Sequence, residues 1–275
     1  MTIEQTQPTG LAEAPLVSIV IATYRRLSHL KLCIERTRAA CRIPHEFIVV
    51  DGGSDDGTLE WLADQPDVRF HNEQRRGGSC RAYNIGFRMA RGRYVMWLND
   101  DSYPLPGAIG SAVAFLESPT ASDVGLVAFY HNHKQPWNEL HGIEHEGSHY
   151  GILHVRGVPY ANFGLLRRDL LERLDYLDEG YQFCAWDPDL SLKVQREANL
   201  RVMGCPAAIV IHEELLDDRK QDDAGDIRTR DNERLFDKWH LPDPGDVPDP
   251  RPAYAELLKT RVLTEPRPYG SGCVG

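Results

Sequence analysis

The sequence predicts a single α/β domain, a mostly parallel central sheet flanked by helices, with a C-terminal extension. Short β-rich apolar runs alternate with segments of helical period, the pattern that parallel strands joined by right-handed crossovers require. The first run, Leu16 to Ala22, has the apolar content of a strand covered on both faces. Polar loops rich in Asp and Gly follow the strands, and in such sheets ligands sit beyond the strands' carboxyl ends.

Each element follows in order. After the Thr23-Tyr24-Arg25-Arg26 turn, Ser28 can cap a helix that places Leu30, Cys33, Ile34, Thr37 and Cys41 on one face. Phe47 to Val50 is the next strand, and the loop Asp51 to Thr58 leads into a helix with Leu59, Trp61 and Leu62. Val68 to His71 is a third strand, Ser79 to Ala90 a helix burying Tyr83 and Phe87, and Tyr94 to Leu98 a fourth strand. A helix to Ser118 and a strand from Val124 to Tyr130 follow, then a histidine-dense stretch to Gly157 without clear periodicity, expected as loop. Order returns with Tyr160 to Leu166, a helix opening near Asp187, a strand from Ala207 to Ile211 and a charged helix from Arg228 to Trp239. Proline alternates with Asp and Gly from Leu241 to Pro252, predicting an extended linker, after which Tyr254, Leu257, Leu258 and Val262 hint at a packed amphipathic helix.

Length and composition narrow the function classes. The 275 residues suit one core, with residues 1–15 as a flexible start, 16–240 as the domain and 241–275 as a proline-rich tail. A formal net charge of −10 argues against binding a nucleic-acid backbone. The start lacks an apolar signal region and no apolar run is long enough for a transmembrane segment, so a cytoplasmic protein is expected. Peripheral membrane contact and a homo-oligomer stay open. The six cysteines, with no zinc-type spacing, are expected to be reduced and mostly buried.

The candidate functional residues cluster at strand ends. Trp97-Leu98-Asn99-Asp100-Asp101 delivers two adjacent carboxylates, which need a cation if they are buried together. Oxygen ligands plus a diphosphate suit Mg²⁺ or Mn²⁺, although a solvated acidic turn has the same residues. Asp51 stands in the matching place one strand earlier, either as a ligand for a nucleobase or ribose or as a turn cap. His212 follows the last strand. Asp187 is a helix cap or a general base, with Pro188 suited to the first helical position. His141, His145 and His149 have a four-residue spacing, but Gly142, Gly147 and Gly151 interrupt any helix. An acceptor-facing loop is the favoured reading there over a zinc site.

In order, these pieces resemble the family 2 glycosyltransferases, inverting enzymes of the GT-A fold. The matching segments are Val17 to Arg26, Ile48 to Thr58, Asn84-Ile85-Gly86, Gly92-Arg93-Tyr94, Leu98 to Asp101, Asp178-Glu179, Asp187 to Leu190 and Val210-Ile211-His212. The resemblance implies transfer of a sugar from a UDP-, GDP- or dTDP-sugar to a carbohydrate or glycoconjugate acceptor, with Mn²⁺ or Mg²⁺, in bacterial-type glycan synthesis. It implies that Thr23, Tyr24 and Asp51 line the base and ribose pocket and that Asp100 lies near ribose and donor sugar. Asp101 and His212 would hold the metal, and Asp187 would be the catalytic base. Arg26 is placed among the donor-binding residues, Arg76 and Arg81 could reach the donor phosphates although solvated surface is the favoured reading for either, and Asn99 can hydrogen-bond a sugar or ribose.

Two departures stand out. Asn99 replaces a third acid, and Trp186 replaces the acid that often precedes the base, which leaves Asp187 and Asp189 in competition and offers an aromatic face to a sugar. No Gln-x-x-Arg-Trp segment is present, which favours single transfer over processive synthesis. The alternatives are a non-catalytic relative that binds a nucleotide sugar or a partner and, more remotely, a sugar-phosphate nucleotidylyltransferase.

Overall fold

Strand β1 (Val17–Thr23) lies between β2 (His45–Asp51) and β4 (Tyr94–Asn99), all parallel, with Thr23 beside Asp51 and Ala22 beside Asn99. Its side chains are buried along nearly its whole length, which is why the run reads as apolar on both faces. The computed structural model describes residues 14–213 and 225–260. The sheet continues through β3 (Val68–Asn72) at one edge and, beyond β4, through β10 (Gly164–Arg167), β6 (Val124–His131), β11 (Arg201–His212) and β5 (Ser102–Pro104). Of these eight strands only β10 and β5 run against the others. The result is one mixed α/β domain with a mostly parallel sheet.

Helices α1 (Leu27–Ala40), α2 (Thr58–Ala63), α3 (Ser79–Met89), α4 (Ala108–Glu117), α5 (Arg168–Arg173) and α6 (Trp186–Arg196) connect or cover the strands. Helix α3 lies close against β1 because Gly86 has no side chain: a Cβ there would stand 2.3 Å from Val20 Cγ1. Asn84, fully buried on the same helix, donates to the carbonyl of Leu177 and accepts from its N–H, both at 2.9 Å. The family-like segments Asn84-Ile85-Gly86 and Asp178-Glu179 are therefore packed together.

Several expectations change. The stretch expected as loop holds three antiparallel strands, β7 (Glu139–His145), β8 (Ser148–Val155) and β9 (Val158–Tyr160). Its alternation is masked because Gly142 and Gly151 pair across the hairpin, and the space they leave is filled by His149, His133 and Glu139. The Glu146-Gly147 turn, with φ of 49° and 77°, is the local signal for this hairpin. Strand β11 begins at Arg201, with an irregularity between Cys205 and Ile209 that hides its first half. Helix α1 is not capped by Ser28; Asp56, from the loop after β2, accepts from the Leu27 N–H at 3.0 Å.

The C-terminal extension is more ordered than its prolines imply. After α7 (Asp226–Trp239), a short turn at Pro244–Asp246 leads to α8 (Arg251–Lys259). Tyr254 and Leu258 are buried, and the Tyr254 hydroxyl accepts from the Gly204 N–H at 2.7 Å. Val262, Cys273 and the start expected to be flexible (1–13) lie outside the described residues. The five described cysteines are unpaired thiols, four of them buried. Among the described residues no helix is long and apolar enough to cross a membrane.

Candidate active site

A cleft of about 480 Å³ opens at the carboxyl ends of β1, β4 and β11. Asp100 and Asp101 follow β4 directly, and both are 4% exposed at its floor. The antiparallel pairing of β5 with β11 sets Ser102 opposite His212, and the Glu213 N–H donates to the Asp101 carbonyl at 2.9 Å. Two strand ends far apart in sequence are thereby locked side by side.

The carboxylates are met from three directions. Arg26 Nη1 lies 3.0 Å from Asp100 Oδ1 and 2.9 Å from Asp101 Oδ2, Thr23 Oγ1 donates to Asp100 Oδ2 at 2.9 Å, and His212 Nε2 is 3.3 Å from Asp101 Oδ1. Burial pushes the Asp100 carboxyl up to about 6, with Arg26 opposing and the Asp101 charge adding to the rise. The cation that two adjacent carboxylates demand is thus supplied in part by Arg26, itself 6% exposed. Arg26, expected at the donor site, lines the cleft, with its Nη1 bonded to both aspartates. Asn99 accepts from the Tyr83 hydroxyl at 3.1 Å, and its amide nitrogen lies 3.4 Å from His212 Nε2, so it orients the histidine.

A divalent ion fits this arrangement at two positions. Adjacent ligands at roughly 2.1 Å from an octahedral ion are about 3.0 Å apart, close to the Asp101 Oδ1 to His212 Nε2 separation of 3.3 Å. Among the described residues no group of three or more His, Cys, Asp or Glu side chains is arranged to hold an ion, so further ligands would have to come from substrate and water.

Asp187 and Asp189 sit two residues apart in the first turn of α6 and face different worlds. Asp189 is 1% exposed and accepts from the Tyr181 hydroxyl at 3.1 Å and Trp239 Nε1 at 2.7 Å, with Lys238 Nζ at 2.8 Å. It is a structural anchor for α7. Asp187 lines the cleft, half-buried, with no ion pair among the described residues, and burial pushes its carboxyl up to about 7. Helix α6 starts at Trp186, one residue earlier than expected, after Ala185 in a left-handed conformation at φ 65°.

That start is held from behind. Asp231 of α7, 1% exposed, accepts from the N–H groups of Gln182, Phe183 and Cys184 at 2.8–3.3 Å. Arg234 and Lys238 add ion pairs to Asp178 at 2.8 and 2.9 Å. A negative charge facing three successive N–H groups is a strong tie, and nothing in the local pattern of α7 announces it.

The sequence profile of the family described as "Glycosyl transferase family 2" matches residues 18–174, more than half of the chain. This protein is a family 2 glycosyltransferase. The uncharacterized glycosyltransferase YwdF of Bacillus subtilis is 24% identical over 235 residues, 84% of this chain and 86% of the relative. The chondroitin synthase of Escherichia coli is 33% identical over 111 residues, 38% of this chain but only 16% of that longer enzyme. Among solved structures, a mannosyltransferase from Pyrobaculum calidifontis in complex with GDP-Man and Mn²⁺ superposes with a TM-score of 0.57 at 18% identity, over 93% of this chain and 77% of the other. TarS residues 1–349 of S. aureus in complex with UDP-GlcNAc gives 0.55 at 18% identity, over 73% and 59%. These likenesses support the GT-A fold, and the family assignment makes the chain an enzyme of glycosyl transfer from nucleotide sugars.

Not every residue expected at the glycosyltransferase site reaches the cleft. Asp51 is fully buried and its carboxylate turns back to accept from the N–H groups of Gly53 and Ser54 at 2.9 and 2.8 Å and from the Ser54 hydroxyl. It shapes the loop, and Gly52 lines the cleft in its place. Arg81 points away to Glu73, 3.0 Å distant, with its side chain 61% exposed, whereas Arg76 lines the cleft and stacks 5.3 Å from the Tyr24 ring centroid. Trp186 is 6% exposed, with its ring against Tyr83 and Trp97. It backs the cleft, which corrects the expectation of an open stacking face. Sequence reasoning missed Gln135, Asn138, Tyr160 and Asn162, and Arg228 and Asn232 of α7, which also line the cleft. Of the histidines in this stretch, His133 and His149 each place Nε2 at 2.8 Å from Glu139 and His141 bonds Tyr130, whereas His154 lines the cleft.

Proposed function

We propose that this glycosyltransferase moves a sugar from a nucleoside-diphosphate sugar to an acceptor hydroxyl with inversion, in single transfers, with Asp187 as the general base. The observation that carries the reading is the contrast within α6: Asp189 Oδ1 is held by Tyr181, Trp239 and Lys238, while Asp187 faces the cleft with its carboxyl pushed up to about 7. A carboxylate near that value takes a hydroxyl proton more effectively than an ordinary one. As the acceptor oxygen bonds to the anomeric carbon, its proton passes to Asp187 Oδ, and the bond to the diphosphate breaks on the opposite face. One base suffices.

Thr23, Tyr24 and Arg76 would bind and orient the nucleotide, with Asp100 and Asn99 near ribose and donor sugar. Asp101 and His212 would hold Mn²⁺ or Mg²⁺, which when bound supplies positive charge to the departing diphosphate. The Mn²⁺ in the Pyrobaculum complex supports a metal here. A UDP, GDP or dTDP donor is kept open, since the two complexes above carry different nucleotides. The acceptor is proposed as a carbohydrate or glycoconjugate in bacterial-type glycan synthesis. A cytoplasmic location is part of the same reading, in keeping with the five unpaired thiols among the described residues.

Calorimetry with UDP, GDP and dTDP, with and without Mn²⁺, on the wild type and Asp101→Ala tests the donor site. Binding of one nucleotide that requires Mn²⁺ and is lost in Asp101→Ala is expected. Equal binding without metal would remove the metal from the proposal. Donor turnover on Asp187→Asn tests the base, and retention of full activity would reassign it.

A further inference from the structure

The two walls of the cleft differ in kind. The nucleotide side comes from the parallel half of the sheet, through Thr23, Tyr24, Gly52 and Arg76. The opposite side comes from the antiparallel β7–β9 segment and its approach, through Gln135, Asn138, Tyr160 and Asn162. This second wall joins the helix of the candidate base: Tyr160 and Asp187 line the same cleft, and the Ala161 N–H donates to Ser191 Oγ of α6 at 3.2 Å. With the nucleotide on the first wall, an acceptor has the second to lie on.

On the rim of that wall, in the short helical turn Pro136–Asn138, Trp137 is 76% exposed. Among the described residues it is the sole large hydrophobic side chain left exposed. Gln135 and Asn138, on either side of the Pro136-Trp137 pair, line the cleft, and Asn138 Nδ2 donates a hydrogen bond to Gln135 Oε1 at 3.3 Å. The turn is fixed at its base, where the Gln135 N–H donates to His133 Nδ1 at 3.2 Å and His133 Nε2 meets Glu139. An indole held in water beside two carboxamides matches a pyranose ring, whose C–H face is apolar and whose edge carries hydroxyls.

We propose that Trp137 is an acceptor-binding platform: a saccharide ring stacks on its indole, Gln135 and Asn138 bond the ring's hydroxyls, and the reacting hydroxyl extends down the wall toward Asp187. This rests on the glycosyl-transfer reading above and narrows its acceptor to one that presents a saccharide ring at Trp137, in preference to a bare lipid phosphate or a protein side chain. The continuity of Trp137 with the cleft wall selects a saccharide over a membrane surface.

The test follows the indole N–H resonance of Trp137 by NMR, identified by its loss in Trp137→Phe. It is titrated with maltose, lactose and chitobiose, and separately with vesicles of phosphatidylethanolamine and phosphatidylglycerol. The expected result is a saturable shift with at least one disaccharide, and calorimetry with that disaccharide should show binding weakened about tenfold in Trp137→Ala and less in Trp137→Phe, which keeps an aromatic ring. Circular dichroism of both variants establishes that they fold. No shift with any of the disaccharides, unchanged disaccharide binding in Trp137→Ala, or a response to vesicles alone would overturn the proposal. Nucleotide calorimetry on the wild type separates the two readings: metal-dependent nucleotide binding with an unresponsive Trp137 removes only the acceptor assignment.

Discussion

Replacing Asp187 with Asn should inactivate the enzyme and stabilise it, and the stabilisation should depend on pH. Burial raises this carboxyl from an ordinary 3.8 to about 7, so the folded state disfavours the charged form. Between those values the unfolded chain has released the proton and the folded chain still holds it. Wild-type stability therefore falls as pH rises through this window and levels off above the folded value. The slope is about 1.36 kcal/mol per pH unit between the two values and falls to half of that at the folded one, so the cost of ionised Asp187 grows by about 2 kcal/mol from pH 5 to pH 7 and reaches about 4 kcal/mol in total. Asn has nearly the same shape and no charge, so the variant escapes this cost. Urea unfolding of both proteins at pH 5 and pH 8 measures it, because groups elsewhere cancel in the difference. The variant's advantage should be larger at pH 8 by about 2–3 kcal/mol. An advantage that is the same at both pH values, or one that shrinks, would refute the raised carboxyl. The activity counterpart has the opposite slope: wild-type turnover should rise tenfold per pH unit toward pH 7 and then flatten, as the base loses its proton.

Three further outcomes follow from the packing. Asp231→Ala strips three backbone N–H groups of their acceptor and should cost about 3 kcal/mol in chemical denaturation, with turnover falling more than nucleotide affinity because the loop it holds carries Asp187 and not the nucleotide wall. Gly86→Ala places a Cβ 2.3 Å from Val20 Cγ1; it should destabilise by about 1–3 kcal/mol, and a second change, Val20→Ala, should recover part of the loss in a double-mutant cycle. Tyr254→Phe removes the hydroxyl that accepts from Gly204 and should cost about 1 kcal/mol by denaturant titration; no loss would mean that α8 does not depend on this bond.

The hairpin and the tail show where local reading stops. Periodicity detects a strand when its side chains alternate, but β7 and β8 meet through a glycine pair whose missing side chains are replaced by histidines from neighbouring positions. Proline content predicts an extended linker from Leu241 to Pro252 and the apolar spacing after it hints at a packed helix, but neither tells that Tyr254 docks on β11 through the Gly204 N–H.

By itself the sequence determined the α/β class, the first four parallel strands and the strand ends where Thr23, Asn99, Asp100, Asp101 and His212 emerge. Apolar runs, helical period and the order of polar loops are properties of neighbouring residues, and the chain states them directly. Only the tertiary structure decided that Arg26 neutralises the aspartate pair, that Asp51 turns back into its loop, and that Asp187 faces the cleft while Asp189 anchors α7. Each of those outcomes depends on what a charge meets across 50 or more residues of chain or on which side of a turn it falls, and burial and partner charges are set by three-dimensional packing.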